Sequence, residues 1–182
     1  MKYLKYAGIA VVVLVALFLI VGLMTPSVYY ESEVVVSKSA EETWAVMSDE
    51  AKLYKWIEGF KRNELVSGTP NTVGAVTRVY VEDNGQEMSM LETITKIVPN
   101  EVMAMNFSMD FMEMDYELNL KEENGQTVIT TKSTTMGNGL FAKSMIAFMK
   151  GSMKEQEMKN MNMLKQTVEE NTKDYFQTVQ VE

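Results

Sequence analysis

The sequence predicts an α+β domain, a single antiparallel sheet covered by one long helix, carried behind one transmembrane helix. Three observations predict it. Residues 61 to 136 alternate apolar and polar side chains with period two between turn signals. Gly139 to Thr172 runs without proline and has helical spacing. Tyr6 to Met24 is an uncharged run rich in Val, Leu, Ile and Ala.

The N-terminal run has 19 residues, close to the length that crosses about 30 Å of hydrocarbon. Lys2 and Lys5 precede it, and Glu31 and Glu33 are the first charges after it. The positive-inside bias therefore puts residues 1–5 in the cytoplasm and the domain outside, periplasmic or at the cell surface. The run exceeds a usual signal-peptide core and no clean A-x-A site precedes Pro26, so an uncleaved anchor over 6–24 is expected rather than a cleaved leader. No Cys follows it, which excludes lipoprotein attachment.

Val28 to Val36 is β-branched and aromatic and reads as a strand. Ser39-Ala-Glu-Glu42 is a capping box opening a short helix through Met47. Ser48 or Asp49 caps a second short helix toward Lys55, and Trp56, Ile57 and Phe60 supply apolar bulk where the chain turns back. Six strands then fit between turns at Ser67–Pro70, Asp83–Gly85, Pro99–Asn100 and Glu123–Gly125 and a hairpin at Asp110, between Met109 and Phe111. In the clearest one Met112, Met114, Tyr116, Leu118 and Leu120 face one way and Glu113, Asp115, Glu117 and Asn119 the other. Met103, Met105, Phe107 and Met109 repeat the pattern, and Met88 and Met90 suggest it. Gln126 to Thr135 is Thr-rich, with no hydropathy contrast to fix its facing.

On the last helix Met145, Phe148, Met149, Met153, Met163 and Leu164 share one broad side, with Lys154, Glu155, Met158 and Lys159 largely opposite. Lys143, Lys150, Lys154 and Lys159 read as an ordinary solvated face. Residues 25–176 then form the domain and 177–182 a short tail.

Composition narrows the chemistry. The net charge is -8, or -10 without Lys2 and Lys5, which argues against nucleic acid as partner. With no His and no Cys there is no imidazole or thiolate metal site, no Cys nucleophile and no Ser-His-Asp arrangement. No catalytic residue, metal or cofactor is assigned, and the oligomeric state is open.

The order of elements, with Val36-Ser-Lys-Ser-Ala-Glu-Glu-Thr-Trp44, the Asp49–Trp56 segment, Gly74 opening a strand, Glu92-Thr-Ile-Thr-Lys-Ile-Val-Pro99, and Gly137 and Gly139 before the last helix, resembles the SRPBCC superfamily. That superfamily includes START lipid-binding domains, pollen-allergen-like proteins and polyketide cyclase/dehydrase-like proteins. The resemblance spans Ser27 to about Tyr175. It implies a helix-grip fold, with a seven-stranded curved antiparallel sheet around the C-terminal helix and a cavity for a lipid, sterol, polyketide or similar molecule. It brings no catalytic triad with it.

The chain has 17 Met, and thioethers line adaptable apolar surfaces. Met105, Met112, Met114, Met145, Met149 and Met153 are expected to form one pliable wall for a hydrophobic ligand, or else simply to fill a core. Gln156 and Asn160, in a polar row with Ser152, either bond the ligand's polar end or bond the sheet, water or the rim. Arg78, Tyr80 and Glu92 are the polar groups on central strands that can turn inward. Arg78 and Tyr80 share a face, and the cost of burying an unpaired Arg favours solvent for it. The expected function is membrane-anchored binding of a small hydrophobic ligand. A polyketide cyclase/dehydratase-like enzyme using Arg78, Tyr80 or Glu92, or an interaction domain without ligand, are the alternatives.

Overall fold

The structure, a computed structural model, describes residues 2–176, so Met1 and the tail 177–182 lie outside the described residues. A helix α1 (Lys2–Met24) leads into strand β1 (Val28–Val36), helix α2 (Ala40–Met47), a 3-10 turn (Glu50–Lys52) and the one-turn helix α3 (Leu53–Trp56). Strands β2 (Phe60–Ser67), β3 (Val76–Asp83), β4 (Gln86–Val98), β5 (Val102–Met109), β6 (Met112–Glu123) and β7 (Gln126–Gly137) precede helix α4 (Leu140–Glu169). All strand pairs are antiparallel, in the order β1-β7-β6-β5-β4-β3-β2. This is the helix-grip arrangement, with β1 and β2 as the two sheet edges.

The turns form where the sequence marks them. Asn84-Gly85 and Asn124-Gly125 each place two successive residues at positive φ (49° and 77°, 54° and 75°), the twist that a two-residue hairpin needs. Ser39 caps α2 by accepting the Glu42 N–H at 3.1 Å. The reciprocal half of the capping box does not form, because the Glu42 carboxylate is taken by Lys38 Nζ at 2.8 Å and by Asn171. Asp49 caps the 3-10 turn through Ala51 N–H. It also takes Lys173 Nζ and Tyr175 OH, both at 2.8 Å, and Lys173 first among these holds its carboxyl below the usual range. The segment after α4 is thereby latched to the segment after α2.

The sheet's inner face carries the core. Val34, Val36, Leu118, Leu120 and Ile129 meet Val46 and Met47 of α2 and Met161, Leu164 and Val168 of α4. A smaller cluster joins Val28, Tyr30 and Ile146, with Met112 and Met153 against it. The Thr-rich strand β7 turns Thr127, Thr131, Ser133 and Thr135 inward, all buried, and its Ile129 is fully buried.

The sheet-facing stripe of α4 is not the expected one. Ala142, Ser144, Ile146, Met161, Leu164, Thr167 and Val168 are buried, and Met158 packs on the core, while Phe148 and Met149 are exposed. The reason is a second partner: α1 packs on the first half of α4. Phe18 stacks on Phe148 at 5.6 Å and meets Phe141 at 5.5 Å. A Cβ at Gly22 would fall 2.7 Å from Ser144 N and 2.8 Å from Leu140 O, so only glycine permits this approach.

Candidate functional site: an open trough on the concave face

The register lays inward side chains in rows across the sheet. One row runs Ile94, Met105, Tyr116, Ser133 and Tyr30 over β4, β5, β6, β7 and β1. The next runs Thr77, Glu92, Phe107, Met114, Thr135 and Val28. Cover over these rows is uneven. α4 lies chiefly along β1 and β7, where inner residues are buried, whereas Met105, Phe107 and Met109 are only half-buried and Met88 is 40% exposed. Beside the strip that α4 covers, and past the buried Ile94, the Met and Phe side chains of β4 and β5 form a half-buried apolar surface, the candidate trough.

A polar cluster lies beneath α4 at the trough's inner side. Tyr116 is partly buried and donates to Glu157 at 2.8 Å, and its ring meets Phe107 edge-on at 6.2 Å. Burial first, then the Glu157 charge, pushes the Tyr116 phenol well up, and burial raises Tyr30 as well. Tyr30 OH reaches Met114 sulfur at 3.9 Å. The Ser133 and Thr135 hydroxyls lie against Tyr30, and the Ser32 hydroxyl is buried without a hydrogen-bond partner in the protein. Buried hydroxyls of this kind ordinarily bond a trapped water or a ligand.

Glu92 is the other carboxyl of this face. It sits opposite Thr77 and Phe107, and burial pushes its pKa up to about 7. Strands are about 4.8 Å apart and residues rise about 3.3 Å, so Glu92 on β4 and Tyr116 on β6, two strands apart and one row offset, are roughly 12 Å apart, with Phe107 in Glu92's row on the strand between them.

Of the residues singled out from the sequence, Met105, Met112 and Met114 face the concave side, and Met153 joins Met112 on the small core cluster. Met145 is half-buried on α4, and Met149 is exposed. Gln156 donates to Glu58 and to Asn160 Oδ1, and Asn160 accepts from the Glu58 N–H at 3.1 Å. Both amides are thus engaged with the turn before β2. Ser152 bonds the Met149 carbonyl within its own helix. Arg78 and Tyr80 are a correction: their pairing with Leu91 and Ser89 puts them on the convex face, away from Glu92. There Tyr80 carries the Arg62 guanidinium 3.6 Å above its ring and donates to Glu64, a solvated arrangement that spares both the cost of burial. Tyr30, Tyr116, Glu157 and the β7 hydroxyls were not picked out from the sequence. Only the alternation that puts Tyr116 beside Met114 and Leu118 pointed toward them.

A separate hollow lies near the C-terminal end of α4. It measures about 470 Å³ and is lined by Lys52, Tyr54, Lys55, Gln166, Glu170 and Lys173 among others. An apolar ligand there would desolvate three ammonium groups, so we assign the site to the trough.

Comparison with known proteins agrees with this geometry. Residues 27–169 match the family described as polyketide cyclase/dehydrase and lipid transport. No curated protein is significantly similar in sequence. The Zhui aromatase/cyclase from Streptomyces sp. R1128 superposes with a TM-score of 0.65 at 13% identity, covering 79% of this chain and 94% of its own. A START superfamily protein from Mycobacterium smegmatis gives 0.62 at 16% identity, covering 78% and 97%. Ara h 8.0201 gives 0.63 at 17% identity, covering 80% and 99%. At such identities the likeness is one of fold.

Proposed function

The chain belongs to the polyketide cyclase/dehydrase and lipid transport family, and we propose that it binds a small hydrophobic molecule in the trough between the inner sheet face and α4. The ligand class is a lipid, isoprenoid or polyketide-like compound. Residues 25–176 form the binding domain, and residues 6–24 hold it to a bilayer, with the N-terminus cytoplasmic and the domain outside. The observation that carries this reading is the half-open Met and Phe floor of β4 and β5 beside fully sealed β1 and β7. A ligand covering about 200 Å² of such surface gains roughly 5 kcal/mol before ordering costs. The Tyr116–Glu157 pair, at the edge of the strip that α4 covers, offers its polar end hydrogen bonds. The snug fit of Gly22 on α4 supports an uncleaved anchor, since a removed leader has no use for it.

Native mass spectrometry of the full chain, with lipid extraction, identifies what it carries. In detergent, Met105→Trp is expected to weaken a fluorescent lipid probe roughly tenfold, about 1.4 kcal/mol, by filling the floor. Val35→Trp, on the outer side of β1, should leave it unchanged. If the parent chain shows no saturable uptake and carries nothing extractable, the ligand-free interaction domain becomes the better reading.

One observation favours the enzymatic alternative. A carboxyl that titrates near neutrality on the trough floor can give or take a proton from a bound carbonyl compound, and Glu92 is such a group. Arg78 and Tyr80 have no part in it. Turnover of an aromatic polyketide substrate that Glu92→Gln abolishes, with binding intact, would establish the cyclase/dehydratase-like reading over simple carriage.

A further inference from the structure

The first half of α4 differs from the rest of this acidic chain. Residues 140–154 contain Lys143, Lys150 and Lys154 and no Asp or Glu, whereas acids return from Glu155 onward. At 100° per residue Phe141, Met145, Phe148 and Met149 fall within an arc of about 100°, and the three lysines lie on the opposite side. Phe141 is 67% exposed, Phe148 64% and Met149 42%. Phe111, also exposed, belongs to the β5–β6 turn whose carbonyl accepts the Asn138 N–H, two residues before α4 begins. Three exposed phenylalanines therefore gather at one end of the domain, the end where α1 arrives. An apolar face backed by lysines is the pattern of a helix lying in a membrane interface.

The contact with α1 sets the depth. The apolar span Tyr3–Met24 has 22 residues, about 33 Å of helix, matched to about 30 Å of hydrocarbon. Phe18 lies six residues before Met24, roughly 9 Å back along the axis. Phe148 stacks on Phe18. If α1 spans the bilayer, Phe148 is carried to about the 5–10 Å depth at which interfacial helices sit.

We infer that residues 140–154 of α4 are a second membrane contact, with Phe141, Phe148 and Met149 immersed in the leaflet from which α1 emerges and Lys143, Lys150 and Lys154 reaching its headgroup phosphates. This rests on α1 being an uncleaved anchor. It also deepens the binding proposal, because Met109, Phe111 and Met112 then bring one end of the trough to the lipid surface, where a hydrophobic ligand can enter without crossing water.

The chain has no cysteine, so single nitroxide labels can be placed cleanly. The full chain carrying Leu14→Cys, Phe141→Cys, Met149→Cys or Thr134→Cys is reconstituted into vesicles of phosphatidylcholine with one quarter phosphatidylglycerol. Collision with oxygen and with a nickel chelate is then measured. Met149→Cys leaves the Phe18–Phe148 stack intact, and Thr134→Cys reports the exposed outer side of β7. The expected oxygen-to-nickel ratio at positions 141 and 149 is at least about threefold that at 134 and approaches that at 14. A lipid-like ratio at 14 with a water-like ratio at both 141 and 149 overturns this inference alone. A water-like ratio at 14 overturns the anchor and the inference together.

Discussion

Glu92 is a carboxyl placed where charge is costly, and that cost has a sign. In the unfolded chain it loses its proton near pH 4.5, but in the fold it keeps it to about pH 7. Between those values the folded state binds the extra proton, so this group's contribution falls as pH rises, by roughly 3 kcal/mol in total. Glu92→Gln, neutral throughout, should therefore match the parent at pH 4.5 and melt roughly 5 °C or more above it at pH 8, read by circular dichroism of the full chain in detergent. Equal differences at both pH values would show that Glu92 is not charge-strained. The sequence made Glu92 a candidate but grouped it with Arg78 and Tyr80, because alternation gives relative facing within a strand and not the register between strands. Tyr116 read as core, and its bond to Glu157 joins residues 41 positions apart, beyond the reach of any local pattern.

At the scale of elements, strands and turns were legible because their signals are local: Asn-Gly pairs, capping oxygens and period-two hydropathy. Each strand from β2 to β7 lies where those signals put it. The existence of α4 was equally plain, but its facing was not. A helix with one partner shows one apolar stripe, and α4 has two partners, so Phe141 and Phe148 meet α1 while Ile146, Leu164 and Val168 meet the domain core. The α1–α4 joint depends on glycine. Gly22→Leu should pry the helices apart and lower the domain's thermal midpoint in detergent by several degrees, whereas Gly8→Leu, with nothing within 4 Å, should not. Equal midpoints for the two variants would mean that α1 contributes nothing to the domain.

The molecule as a whole is a sheet covered by its helix chiefly along β1 and β7, and the less covered inner face of β4 and β5 is rich in thioethers. Those sulfurs differ widely in access: Met161 is 1% exposed and Met47 4%, while Met88 is 40% exposed and Met105 and Met109 are half-open. Oxidation to the sulfoxide turns a flexible apolar side chain into a polar one. A mild peroxide dose should therefore modify Met88, Met105 and Met109 before Met47 and Met161, as peptide mass spectrometry would show, and abolish probe binding while the melting transition survives. Uniform modification, or loss of the fold before loss of binding, would contradict this. On the proposed binding role, the open floor would make uptake of an apolar guest conditional on the redox state of the surroundings, in a chain with no thiol to act as a sacrificial target.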